Sequence, residues 1–137
     1  MGLGMLDTST VILLGRIADP ATLPDQSVIS AITLAELSVG PQIAVDPTEG
    51  AARQAHLQQA ESDFEAIPFD AAAARAFGSV AAALRSAGRK RAARAYDALI
   101  AATAIAIANG LPLYTCNPED FDGIPALDLR PVPHPDR

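Results

Sequence analysis

At 137 residues, half of them hydrophobic and only 4% aromatic, the chain is long enough to bury a real core, which must be built from closely packed Ala, Leu, Ile and Val. That composition, with 19% charged residues, excludes an intrinsically disordered chain. A formal net charge of −6, from 16 acids against 10 bases, excludes a nucleic-acid binder that relies on bulk attraction.

The opening MGLGMLDTST has neither a basic n-region nor a cleavage signal, so no secretion signal is expected. Residues 3–7, LGMLD, read as a strand, with a helix starting near Ser9 or Thr10. Pro20, Pro24 and Asp25 mark a loop. The β-branched run SVISAI (27–32) predicts a buried strand, and TLAELSVG (33–40) a short helix ended by Gly40 and Pro41. Residues 47–67 predict a polar amphipathic helix running toward a short strand near AIPF. Asp70 is placed to cap the next helix, where Phe77, Val80, Ala81 and Leu84 recur at helical spacing.

SAGRKRAA (86–93) reads as a basic loop before a helix that contains Asp97 and stops at Asn109-Gly110. LPLYT (111–115) is a further strand, NPEDFDGIP a turn-rich loop and LDLRPV (127–132) a last short strand. Strands alternating with helices imply a mainly parallel sheet between helical layers, an α/β chain in one domain over 1–137 whose end, 131–137, is expected to fray. The uncharged stretch 98–118 is broken by Asn109, Gly110, Pro112 and Asn117, too soon to cross about 30 Å of hydrocarbon, so no membrane association is expected. A single cysteine, Cys116, allows no intramolecular disulfide and fits a reducing cytoplasm.

Charge is unevenly spread. Arg85, Arg89, Lys90, Arg91 and Arg94 form a block, with no acid between Asp70 and Asp97, and offer phosphates a local positive surface or simply a solvated loop. Four acids are placed where strands or the helices after them begin or end. Asp7 closes the first strand, with the Ser9 hydroxyl two residues on; it is either a helix cap or a site residue at the carboxyl edge of the sheet. Glu36 fits a capping box with Thr33, or the same edge. Asp97 gains from the helix dipole, yet alanines at 98, 101, 102 and 104 would bring its helix, and its short carboxylate, close to the sheet. Asp120 follows LPLYT in a turn that Asn117 and Pro118 would shape.

Four carboxylates converging on one edge would repel unless protonated or bridged by a cation, and oxygen ligation suits Mg2+ or Mn2+. His56, on a polar helix, and His134, in the tail, offer no zinc-type spacing. A receiver-like phosphotransfer domain also sets aspartates at strand ends, but it would want a basic residue late in the sheet, and only Arg130 and Arg137 follow Arg94.

In order and spacing, MLDTSTVI, ISAITLAEL, YDALIAATAIAIANGLPLYT and NPEDFDGIPAL resemble the motifs of PIN-domain toxins, in particular the VapC toxins of bacterial VapBC toxin–antitoxin systems. The similarity spans nearly the whole chain. It implies a three-layer α/β/α domain, a Mg2+- or Mn2+-dependent ribonuclease, an RNA substrate and inhibition by a small VapB-like antitoxin. Carried over by residue, the family's acids fall on Asp7, Glu36, Asp97 and Asp120, its accompanying hydroxyl on Ser9 and its loop-shaping asparagine on Asn117. Many relatives have arginine before that asparagine where this chain has Cys116, so the resemblance carries no phosphate contact there. Met5 offers a second candidate start, and the Ala-rich helices offer a homodimer face. The competing expectation is a non-catalytic PIN-like module that binds RNA or protein.

Overall fold

The computed structural model describes residues 2–88, 95–107 and 110–137. Among them run five strands, β1 (Leu3–Leu6), β2 (Gln26–Ser30), β3 (Ala66–Ile67), β4 (Leu113–Thr115) and β5 (Leu129–Pro131). The helices are α1 (Thr8–Leu13), α2 (Ala31–Ile43), α3 (Pro47–Asp63), α4 (Ala71–Ser86) and α5 (Ala95–Ala106). The strands join in the order β3-β2-β1-β4-β5, and every pair is parallel.

Strand alternation divides the core into two layers, because successive side chains leave a strand on opposite faces. Met5, Val28 and Leu113 point to one face and pack with Val80 and Leu84 of α4 and Ala98, Ile100 and Ala101 of α5. Their neighbours Leu6, Ile29 and Tyr114 point to the other, against Val11 of α1, Leu37 of α2 and Leu57 and Ala60 of α3. Two helical layers thus enclose the sheet, giving the α/β/α architecture expected from the sequence.

The helix starts are set by side-chain caps: Asp7, Ser30, Asp46 and Asp70 each accept a hydrogen bond from a backbone N–H of the first turn. Strong capping by Asp7 starts α1 at Thr8, ahead of the expected Ser9 or Thr10, and capping by Ser30 stops β2 short of Ala31 and Ile32. Helix α2 runs through Gly40-Pro41 to Ile43, a correction to the stop expected at that pair. Gly40 has no Cβ to clash with the proline ring, and Pro41 lies in the last turn, where only one helical bond is lost. Arg53 Nη1 also donates to Gly40 O at 3.0 Å, tying α2 to α3. Beyond α5, Gly110 takes φ +70°, as a helix exit to the next strand requires; its neighbour Asn109 is outside the described residues.

With α1–α3 on one face and α4–α5 on the other, the strand order runs outward from β1 to β3 and then reverses, running from β4 to β5 on the other side. The carboxyl ends of β1 and β4 form the switch-point crevice where open parallel sheets place their sites. The proline-spaced end also contacts this region: buried Val132 donates its N–H to Thr115 O at 2.8 Å, and Arg137 pairs with Glu119 at 3.1 Å. No helix of the described residues is long and apolar enough to cross a membrane.

Candidate active site

Asp7 follows β1 directly and is only 4% exposed. Its Oδ1 accepts from the Thr10 N–H at 3.1 Å and the Thr10 hydroxyl at 2.5 Å. Its Oδ2 accepts from Ser9 Oγ at 3.0 Å and Thr115 Oγ1 at 2.8 Å. Capping and a place at the sheet edge, alternatives in the sequence, are therefore met by different oxygens of one carboxylate. Burial pushes the Asp7 carboxyl above the usual range, against the pull of the Thr10, Thr115 and Ser9 hydrogen bonds.

The capping-box expectation for Glu36 does not hold. Ser30 caps α2, with its Oγ accepting from Ile32 N at 3.0 Å, so Thr33 lies inside the helix and is fully buried. Glu36 instead turns to α1, where its Oε1 accepts from Thr8 Oγ1 at 2.6 Å. Burial raises its carboxyl, Thr8 counteracts this, and the negative charge of Asp7 raises it further. The structure thus brings Asp7, Ser9 and Glu36 to one place, with two carboxylates feeling each other's charge.

Asp97 lies in the first turn of α5 and Asp120 in the 3-10 turn Pro118–Phe121 after β4; both are half-buried. Helix α5 packs against that turn and against α2, so the four acids sit on neighbouring elements. Asn117 opens the turn without a side-chain cap; its N–H donates to Thr115 Oγ1 at 2.9 Å, and its carbonyl accepts from Asp120 N at 3.0 Å. Cys116 is buried, its thiol pushed upward by that burial, and its N–H donates to Thr10 Oγ1 at 3.1 Å. Of the basic block, Arg85 is exposed at the end of α4, while Arg89, Lys90, Arg91 and Arg94 lie outside the described residues. His56 faces a groove between α1 and α3, and His134 Nδ1 accepts from Asp136 N.

Thr8, Thr10, Thr33 and Thr115 are the participants that sequence reasoning missed. Their one visible signal was position: Thr8 adjoins Asp7, Thr115 closes β4, and Thr10 and Thr33 each stand one helical turn from an acid.

The donor chemistry fits a hard divalent cation. The edge supplies carboxylate and hydroxyl oxygens, and the Asp7–Glu36 repulsion is of the kind a shared cation relieves. Ser9 is the partly exposed donor on Asp7. Among the described residues, no three His, Cys, Asp or Glu side chains stand together closely enough to hold a metal ion.

A PIN domain model matches residues 5–126. Ribonuclease VapC5 of Mycobacterium tuberculosis (strain ATCC 25618 / H37Rv) is 36% identical over 131 residues, covering 92% of this chain and 93% of that protein. Ribonuclease VapC of Rickettsia bellii (strain RML369-C) is 32% identical over 136 residues, covering 97% and 98%. The chain belongs to the VapC family of PIN domains. Among solved structures, the VapBC-5 toxin–antitoxin system of M. tuberculosis gives a TM-score of 0.78 at 34% identity, covering 96% of this chain and all of that one. VapBC2 of Rickettsia felis, bound to a promoter DNA fragment, gives 0.72 at 28% identity, with 93% and 96% covered. In this PIN domain the resemblance read from four motifs and the sheet edge built by Asp7 and Glu36 coincide.

Proposed function

We propose that this chain is a Mg2+- or Mn2+-dependent endoribonuclease, the toxin of a type II toxin–antitoxin pair, held inactive by a VapB-like antitoxin. The observation that carries the reading is the buried Asp7 joined through its neighbour Thr8 to Glu36 at the switch point of a parallel sheet. The names of its relatives as VapC ribonucleases and the VapBC assemblies of its structural neighbours support it.

In this reading Asp7, Glu36, Asp97 and Asp120 would hold the cation partly through its bound waters, since no three of them stand close enough to ligate it together. The cation would supply Lewis-acid polarisation of the scissile phosphate and a water of lowered pKa for in-line attack, a hydrolysis that would leave 5′-phosphate and 3′-hydroxyl ends. Asp7 is fixed by its hydroxyl shell and so presents its carboxylate without further ordering. Ser9 closes that shell on the open side. Arg85, with Arg89, Lys90, Arg91 and Arg94, serves flanking phosphates, offsetting an acidic edge that repels RNA by itself. A basic side chain of the antitoxin would neutralise the same carboxylates. Exposed apolar residues such as Ile12, Val39 and Ile43 suit a protein partner, either antitoxin or a second copy in a homodimer.

The test is cleavage of total cellular RNA by the purified chain with Mg2+ or Mn2+, with EDTA, and by Asp97→Asn. Cleavage that needs the cation, disappears in Asp97→Asn and stops on adding a VapB-like antitoxin is expected. Cleavage retained in EDTA, or in folded Asp97→Asn, would overturn the mechanism. RNA binding without turnover under Mn2+ would make this PIN domain a binding module.

A further inference from the structure

We propose that Thr8, backed by the buried Thr33, is a positioning residue that holds Glu36 beside Asp7 and thereby sets how tightly this edge takes a divalent cation. The inference rests on the metal-dependent reading above.

The direction of the hydrogen bonds follows from counting protons. A threonine hydroxyl has one proton, and Thr8 Oγ1 faces two acceptors, Glu36 Oε1 at 2.6 Å and Thr33 Oγ1 at 3.0 Å. The shorter bond goes to a carboxylate and takes the proton, since a charged acceptor makes the stronger bond. Thr33 must then donate its own proton to Thr8. At 0% exposure Thr33 has no bulk water to donate to. The chain Thr33 to Thr8 to Glu36 therefore runs one way, and its buried end polarises the hydroxyl that meets the acid.

Glu36 needs such a hold. It lies in the second turn of α2 with a flexible side chain, it is only half-buried, and the charge of Asp7 repels it. Without a donor on α1 the carboxylate gains both freedom and distance by swinging outward. Helix α1 itself has no use for this hydroxyl, because its cap is made by Asp7 with Thr10. The Thr8 side chain is thus spent on α2. It is the residue next to Asp7, so the segment that supplies one carboxylate also fixes the other. Side chains that hydrogen-bond a metal-ligating carboxylate in this way change metal affinity by roughly 10–100-fold when removed.

The experiment is a calorimetric Mn2+ titration without RNA on the full chain, comparing wild type with Thr8→Val, Thr8→Ser and Thr33→Val. Thr8→Val is expected to weaken Mn2+ binding by about tenfold or more. Thr8→Ser, which keeps the donor, should bind as wild type does, and Thr33→Val should fall between. RNA cleavage by Thr8→Val should recover as Mn2+ is raised, which a general loss of structure would not allow. If Thr8→Val does not fold, the Thr8→Ser and Thr33→Val pair decides, since Thr33→Val leaves the contact to Glu36 in place and removes only its backing. Wild-type affinity in the threonine-to-valine variants, or a Thr8→Ser affinity as weak as that of Thr8→Val, overturns the positioning role while leaving the metal site standing. Absence of Mn2+ binding by the wild type overturns the metal reading and this inference with it.

Discussion

Thr115 and Asp7 lie 108 positions apart in the chain, and the Thr115 hydroxyl donates to Asp7 Oδ2 across 2.8 Å. Thr115 Oγ1 also accepts from Asn117 N at 2.9 Å, so one side chain fastens the end of β4 to the end of β1 and fixes the start of the turn that carries Asp120. Thr115→Val would leave the partly buried Asn117 N–H without this acceptor and strip a donor from a buried carboxylate. The expected cost is about 1–3 kcal/mol of stability, read from urea denaturation, with cleavage falling roughly 10-fold or more. Thr115→Ser should keep both. A valine variant as stable and active as wild type would show that the hydroxyl is dispensable.

Asp7 should make stability depend on pH in an unusual sense. Its carboxyl is raised in the folded chain, chiefly by burial, so the native state binds the proton more tightly than the unfolded chain does. Where the folded group is protonated and the unfolded one is not, stability falls as pH rises. That window opens near pH 4, the ordinary aspartate value, and closes above the raised folded value. Beyond it the cost of the buried charge is complete. Asp7→Asn removes that cost, while the Ser9 and Thr115 hydroxyls can turn to accept from the new amide.

In chelator, Asp7→Asn is expected to melt about as wild type does near pH 3 and at a higher temperature than wild type at pH 7. Added Mg2+ should then raise the melting temperature of wild type but not of the variant. Equal melting temperatures across the pH range would show that hydrogen bonding fully compensates burial at Asp7.

Gly4 marks how tightly β1 is packed under the site. A Cβ there would stand 2.5 Å from Tyr114 Cε1 and 2.9 Å from Pro24 Cβ. Gly4→Ala is therefore expected to destabilise by about 1–3 kcal/mol, as overpacking does. Pairing it with Tyr114→Leu should recover part of the loss, since the clash is with the ring. Additive effects in a denaturant double-mutant cycle would contradict that coupling.

How far the sequence carried depended on the range of the interactions involved. Strand runs such as SVISAI and caps such as Asp70 depend on neighbours within a few residues, and both appear nearly where expected. The four acids were visible because each sits at a strand end or in a helix turn beside one, and a parallel sheet gathers such ends on one edge. What stayed hidden was long-range. Thr33-x-x-Glu36 reads locally as a capping box, but Ser30 takes the cap and Thr8, 28 positions from Glu36, takes the carboxylate. Likewise nothing near Thr115 in the chain announces that Asp7 will be its acceptor. Pro41 misled for a local reason, since the preceding glycine relieves the clash that normally ends a helix.

The alanines behind Asp97 provide the last prediction. Ala101, Ala102 and Ala104 are fully buried, and Ala101 lies one turn beyond Asp97 on the same face of α5. These small side chains let the helix lie close to the sheet, which in the proposed site would set the depth of the Asp97 carboxylate. Ala101→Leu should force α5 outward at a cost of about 1–3 kcal/mol. Because misplacement by about 1 Å can cost 100-fold in rate, cleavage should fall far more than stability implies. Ala74→Leu, on the exposed side of α4, adds the same bulk without touching the sheet and should change neither. Cleavage by Ala101→Leu that falls only in step with its unfolded fraction would mean that the helix merely fills space. A folded Ala101→Leu variant with weakened Mn2+ binding would show that alanine packing places the carboxylate.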